Sequence, residues 1–482
     1  MYRLNPVAPA VLARRPSISI FRGLCVREFN PPGLSHMQAA TIASHRFGYS
    51  ETSLRQIQGD PRAWVLDQFK RPAPFDASGL LDGAQAWALS RDVLRAALQL
   101  PGNDKESATP APGVMVLRRD LRQANMAGLR RRWQHISTTS TPVAERWVQF
   151  WANHFCVAAT RATVAGLIWP HEYEAVRPHA FGSFQALARA ALLHPAMLLY
   201  LDNAQSIGPD SRAGRRRVKG LNENLARELL ELHMLGVHGG YTQDDVTQTA
   251  RLLTGWTMRP DTPGATGFVE ALHQPGSKLV LGKTYPEGPK ALDLLLEDLT
   301  AHPACARFVA LKLVRHFVTD DPPQALVDAV AARFRATRGD LPATAQALFT
   351  HELAWGSSHA AKFKRPEELV LSAYRMLKLP VAAIEQDALA VQNMGQALGR
   401  APSPQGWPDR TEDWLSPDAL HKRVLWAARF AKSHRELVDA RALARLAWGD
   451  DLSLATAQHI ERAESAEQSL ALALASPEFQ RR

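Results

Sequence analysis

The sequence predicts a mostly α-helical fold: one large multi-helix domain carrying a short β-hairpin insert. Three observations predict it. The chain has 482 residues, 46% hydrophobic and 22% charged, an ordinary globular balance and not a disordered one. Apolar residues recur at helical spacing along most of its length. One Gly/Pro-rich stretch, about 255–288, breaks that pattern with two short β-like runs.

Taken in order, residues 1–36 hold Pro6, Pro9, Pro16, Pro31 and Pro32 with no helical period, and read as a poorly structured leader. Arg14-Arg15 has the look of a twin-arginine export signal, but Arg22 interrupts the apolar run that follows. A cytoplasmic location is therefore expected, with the periplasm as the alternative. Met37 opens the first helix-like run, 37–45, and is expected to be the true start of the chain, the leader being an annotation artefact. Peptides from residues 1–30 in the native protein would refute this. The domain proper is 37–482.

Helical runs follow at 60–69, 84–98 and 114–135. Thr141-Pro142 gives the next helix, 143–155, a cap and a proline in its first turn. Val143, Trp147, Phe150 and Trp151 form its apolar face and His154 continues it, with Asn153 beside. Runs at 184–193 and 196–201 lead to Asp202 and Asn203, which end a helix and either form a turn or face an acidic neighbour. The helix over 223–235 has Asn222 as N-cap and Gly236 as stop. In 243–253, Thr242 with Asp245 resembles a capping box. Within the insert, 268–272 and 278–281, joined by Gln274-Pro275-Gly276-Ser277, read as the hairpin. Further helices are expected at 305–318, 323–334, 366–377, 417–430 and 454–474, with a long Pro-rich loop over 399–409.

Charge and cysteine content narrow the class. The net charge of +10 is a mild excess at this length. Its dense cluster, Arg212, Arg215, Arg216, Arg217 and Lys219, reads as a solvated Gly-flanked loop, which argues against nucleic-acid binding. No run approaches the roughly 20 apolar residues of a membrane span. Three cysteines without a CxxC spacing argue against a disulfide framework or a Cys-based zinc site, and Cys156 and Cys305 are expected as buried thiols. Walker, G-x-S-x-G, H-E-x-x-H and Rossmann glycine signatures are missing.

The most informative element is the helix over 223–235. At about 100° per residue, Leu225, Leu229 and Leu232 form one apolar stripe while Asn224, Arg227, Glu228 and Glu231 gather on a flank. Glu223, Arg227 and Glu231 are spaced i, i+4, i+8, so Arg227 is placed to pair with both carboxylates. One reading is a structural ion network. The other is a site in which Glu228 and Glu231, with Asp202 and His154, hold a divalent cation or act as general acid and base beside Arg227. His233 points away from both glutamates, so no di-iron ligand string is formed. Asn153, Asn203, Asn224, Trp256, His273 and Lys278 are further binding candidates; His273 and Lys278 are placed to meet an anion, or else protect a strand edge.

Several strings taken together resemble the DUF1800 family. They are Phe150-Trp151-x-Asn153-His154-Phe155, His194-Pro195-Ala196-Met197-Leu198-x-Tyr200-Leu201-Asp202-Asn203, Asn222-Glu223-Asn224-x-Ala226-Arg227-Glu228-Leu229-x-Glu231-Leu232-His233, Gly239-Gly240-Tyr241-Thr242-Gln243, Leu253-Thr254-Gly255-Trp256 and Ser476-Pro477-Glu478-Phe479. Family members often have Ser-Pro where this chain has His194-Pro195, which weakens a hydroxyl role there. The resemblance implies no particular reaction. It implies an accessory or binding protein that acts with a phosphatase- or sulfatase-like companion. A metal-dependent enzyme, a hydrolase centred on the 223–235 helix, is the alternative.

Overall fold

The computed structural model describes residues 35–98, 112–216, 220–259, 261–356 and 361–482. Residues 1–34 of the expected leader, with Cys25, and Arg217 and Lys219 of the basic cluster lie outside the described residues. Helices dominate, and no helix among the described residues is long and apolar enough to cross a membrane.

Local chemistry sets where helices start. Ser35 and Gln38 close a reciprocal capping box on His36–Thr41. Asp60 caps Pro61–Lys70, and the expected Thr242–Asp245 box caps Gln243–Leu253. His194 does the work of a serine: its Nδ1 accepts the Ala196 amide at 3.1 Å, as Ser476 Oγ accepts that of Phe479 at 3.2 Å. The His-Pro pair thus keeps a cap without a hydroxyl. Asn222 does not cap its helix; it accepts the Asn224 amide at 2.9 Å in a turn, and the helix runs Asn224–Glu228 into a π-helical turn, Leu229–Met234. Similar π turns occupy Ile42–Phe47 and His171–Val176.

Two further expectations are corrected. The run 454–474 is two helices, Leu454–Glu461 and Ala466–Ala475, because Ser465 caps a fresh start. The insert is two small sheets, and its strands pair differently from the expected hairpin. β1 (Trp256–Met258) pairs antiparallel with β2 (Thr266–Phe268), and β3 (Lys278–Val280) with β4 (Lys283–Tyr285). Residues 270–272 form a 3-10 turn instead of continuing β2. Leu281 and Gly282, both at positive φ (49° and 75°), make the two-residue β3–β4 turn.

Burial divides into two apolar clusters. The larger spans residues from Ala40 to Trp355, with Trp147, Trp151 and Phe184 at its centre. The smaller joins Leu129, Trp133 and Ile136, from the 27-residue helix Pro112–Thr138, to C-terminal residues such as Leu369, Tyr374, Trp426 and Leu470. Where the helices Pro112–Thr138, Pro142–His154 and Pro366–Met376 meet, the core is charged. Arg146, fully buried in the helix Pro142–His154, reaches Glu368 of Pro366–Met376 at 2.7 Å. Arg132, on Pro112–Thr138, bridges Glu172 and Glu367. An ion network therefore ties the two apolar clusters together.

Candidate functional site

The residues singled out on the 223–235 helix and around it fall into separate places. Arg227 donates to Glu223 at 3.2 Å and to Gln243 at 2.9 Å, and Glu223 also takes Thr247 at 2.7 Å. Its expected second partner, Glu231, instead accepts from the Tyr241 hydroxyl at 3.3 Å. Glu228 is half-buried, and burial followed by the charge of Glu231 raises its carboxyl above the usual range. Asn224 is exposed. Asp202 sits in the left-handed region (φ 62°) and is claimed by Arg161, with Nη2 to Oδ2 at 2.7 Å.

His154 does not join these carboxylates. It is buried, its Nε2 lies 2.9 Å from the carbonyl oxygen of His233, and Nδ1 of His233 lies 3.1 Å from the carbonyl oxygen of His154. Since carbonyls only accept, both ring nitrogens carry the proton. Burial holds both imidazoles well below their ordinary value, His233 near about 3. The proposed ligand set of Glu228, Glu231, Asp202 and His154 is thus not assembled, and among the described residues no group of three or more His, Cys, Asp or Glu could hold a metal ion.

The remaining binding candidates serve the scaffold. Asn203 donates to the Trp256 carbonyl at 2.8 Å and fixes the start of β1. Trp256 is buried edge-on against Phe268. His273 and Lys278 do not wait for an anion. Lys278 Nζ, buried, donates to His273 Nε2 at 2.9 Å and to the carbonyls of Gln274 and Gly276, so the insert is stapled from inside. Cys156 and Cys305 are free buried thiols, with burial pushing the Cys156 thiol up to about 12.

Only Asn153 leads to a cleft. Its side chain clamps the Pro-rich loop from both sides, donating to the Trp407 carbonyl at 3.0 Å and accepting the Trp407 amide at 2.8 Å. The cleft beneath, about 90 Å³, is lined by Asn153 with Arg132, Gln149, His171, Glu172, Arg365, Glu367, Glu368, Gln396 and Trp407. That volume holds a few waters or one small polar group.

Its charges are fixed in place. Glu172 takes Arg132 Nε at 2.9 Å and Arg177 at 2.8 Å. Glu367 takes Arg132 and the Trp133 indole N–H, the latter at 2.7 Å. Glu368 is held by Arg146, Arg365 and Arg482. Behind them Glu145 binds Arg177 at 2.6 Å and Gln149 at 2.7 Å. Burial alone would raise these acids, but the surrounding guanidinium groups outweigh it and hold Glu145, Glu172 and Glu368 below the usual carboxylate range. His171 is kept neutral by burial and bonds the Ala191 carbonyl.

A second cavity opens beside the cleft. It measures about 680 Å³ and lies among the helix Pro112–Thr138, residues 165–169 and residues 398–400. Ile168, Trp169, Leu398 and Gly399 line both spaces. Trp169 is the partition: Arg132 sits over its ring at 5.6 Å, and its edge rests on Gly128, where a Cβ would come within 2.6 Å of Cδ1.

Sequence reasoning missed all of the cleft except Asn153. The available signal was the string Lys362-Phe363-Lys364-Arg365-Pro366-Glu367-Glu368, in which charges crowd a helix start. All but Pro366 and Phe363 are charged, yet every one of the seven is buried.

Set against known proteins, a family model described as "Protein of unknown function (DUF1800)" matches residues 42–481. No curated protein and no solved structure matches the chain.

Proposed function

We propose that this chain, which belongs to the DUF1800 family, is a binding protein that presents a small molecule to a phosphatase- or sulfatase-like companion. One observation carries the reading. Every acid lining the cleft among the described residues is locked to a buried guanidinium, so the cleft offers fixed, paired charge. Fixed, desolvated charge suits recognition. The companion follows from the family resemblance, and a cytoplasmic location is kept with it, the periplasm being the alternative.

The test is ester hydrolysis by the companion with and without this chain. The companion's KM is expected to fall when the chain is added, and the chain alone to hydrolyse neither phosphate nor sulfate esters. Hydrolysis by the chain alone, lost on Glu228→Gln, would end the reading. That result would favour the second one, an acid–base enzyme centred on Glu228 and Glu231, which is supported by the raised Glu228 carboxyl.

A further inference from the structure

Four arginines of the helix Pro112–Thr138 that face away from the apolar cavity have acidic partners. Arg119 pairs with Asp120 at 3.2 Å, Arg130 with Glu385 at 3.0 Å, Arg131 with Asp76 at 2.8 Å, and Arg132 with Glu172 and Glu367. Arg118 and Arg122, on the cavity side, pair with no described residue, and neither does Arg400 across the opening. All three are exposed. Two like charges at i, i+4 on one helix repel each other, and a bound anion would relieve that. Among the described residues no acid lines this cavity, whereas three line the neighbouring cleft.

Below the arginines the walls are apolar: Leu121, Met126, Leu129, Ile168, Trp169 and Leu398. A volume of about 680 Å³ lies within the roughly 300–1,000 Å³ of small-molecule pockets. Guanidinium groups grip phosphate, sulfate and carboxylate through paired N–H donors. Resting on the reading of this chain as a binding protein, but placing the ligand in this cavity beside the cleft, we infer that the ligand is an anionic amphiphile: its apolar chain fills this cavity and its headgroup is held at the rim by Arg118, Arg122 and Arg400. A cationic amphiphile would meet three like charges. A bare anion would leave the apolar walls unused.

Isothermal titration of the full chain with dodecyl phosphate, below its micelle concentration, tests the assignment. Inorganic phosphate and dodecyltrimethylammonium serve as head-only and opposite-charge probes. Saturable one-to-one binding of dodecyl phosphate is expected, with neither control binding. The affinity is expected to drop at least tenfold in Arg118→Gln/Arg122→Gln/Arg400→Gln, whose changes are all at exposed positions. Ala165→Phe, which fills the cavity with an apolar ring, is expected to abolish binding. No binding to the wild-type chain, unchanged affinity in both variants, or equal binding of the cationic probe would overturn it. Dodecyl phosphate binding without an effect on the companion's KM ends the accessory reading alone; the effect on the companion without this binding ends the amphiphile assignment alone.

Discussion

His154 and His233 each bond the other's main chain, at 2.9 and 3.1 Å, so that the end of one helix and a π-helical turn 79 residues later are clasped by two neutral imidazoles. The clasp has a pH cost with a definite sign. Above about pH 6.5 both rings are neutral whether the chain is folded or not. Below that the unfolded chain takes up protons that folded His233 refuses until about 3, so stability falls as the pH drops through this window. The slope is up to about 1.4 kcal/mol per pH unit for each histidine. Urea unfolding at a series of pH values between 7 and 4 should show that decline, with a shallower slope in His233→Gln. An identical slope in the variant would remove the histidines from the account.

Glu368 and Glu223 both pair with arginine, yet their losses should differ in size. Glu368→Gln strands Arg146, Arg365 and Arg482 in the interior and is expected to cost about 3–5 kcal/mol. Glu223→Gln breaks a half-exposed pair and should cost less than about 1 kcal/mol. Denaturant unfolding of the two variants checks the contrast; equal, small costs would mean the interior network contributes little.

His194→Ser should keep the cap on Pro195–Tyr200 while losing the contact from Nε2 to Glu174 at 3.2 Å and the edge-on packing against His171. His194→Ala removes the cap and should cost about 0.5–2 kcal/mol. Thermal melting ranks the two, and a serine variant as damaged as the alanine one would show that the imidazole does more than cap.

Gly128→Ala sets two effects against each other. Alanine in a helix is worth about 1 kcal/mol over glycine. Here its Cβ would press on Trp169 at 2.6 Å, and the indole would have to shift. Net destabilisation is expected, together with weaker dodecyl phosphate binding, since Trp169 walls the cavity. A more stable variant with unchanged binding would show that the ring yields freely.

The helical periodicity, the proline-led starts at Pro142 and Pro366 and the stop at Gly236 were readable, because each rests on chemistry between near neighbours in sequence. Strand pairing in the insert was not. Phe268 pairs with Trp256 across a loop, and a three-residue strand carries too little pattern to name its partner. The cleft was less legible still. Arg132, Gln149, Glu172 and Glu367 look like solvated surface in any local window, and only the third dimension brings them into one interior space. Conversely Glu228 and Glu231 drew notice because they share a helix with leucines, and the structure sets them apart from His154 and Asp202.

The charged seam between the two apolar clusters also imposes an order on the life of the chain. Arg132 leaves the ribosome 235 residues before Glu367, and Arg146 does so 222 residues before Glu368. At roughly 5–20 residues per second that interval is on the order of ten to fifty seconds. For that time the nascent first part carries guanidinium groups bound for the interior, Arg146 without the carboxylate of Glu368 and Arg132 with only Glu172 of its two partners. Its half-built core should stay open and hydrated along that face, and close only once the Pro366–Met376 helix arrives.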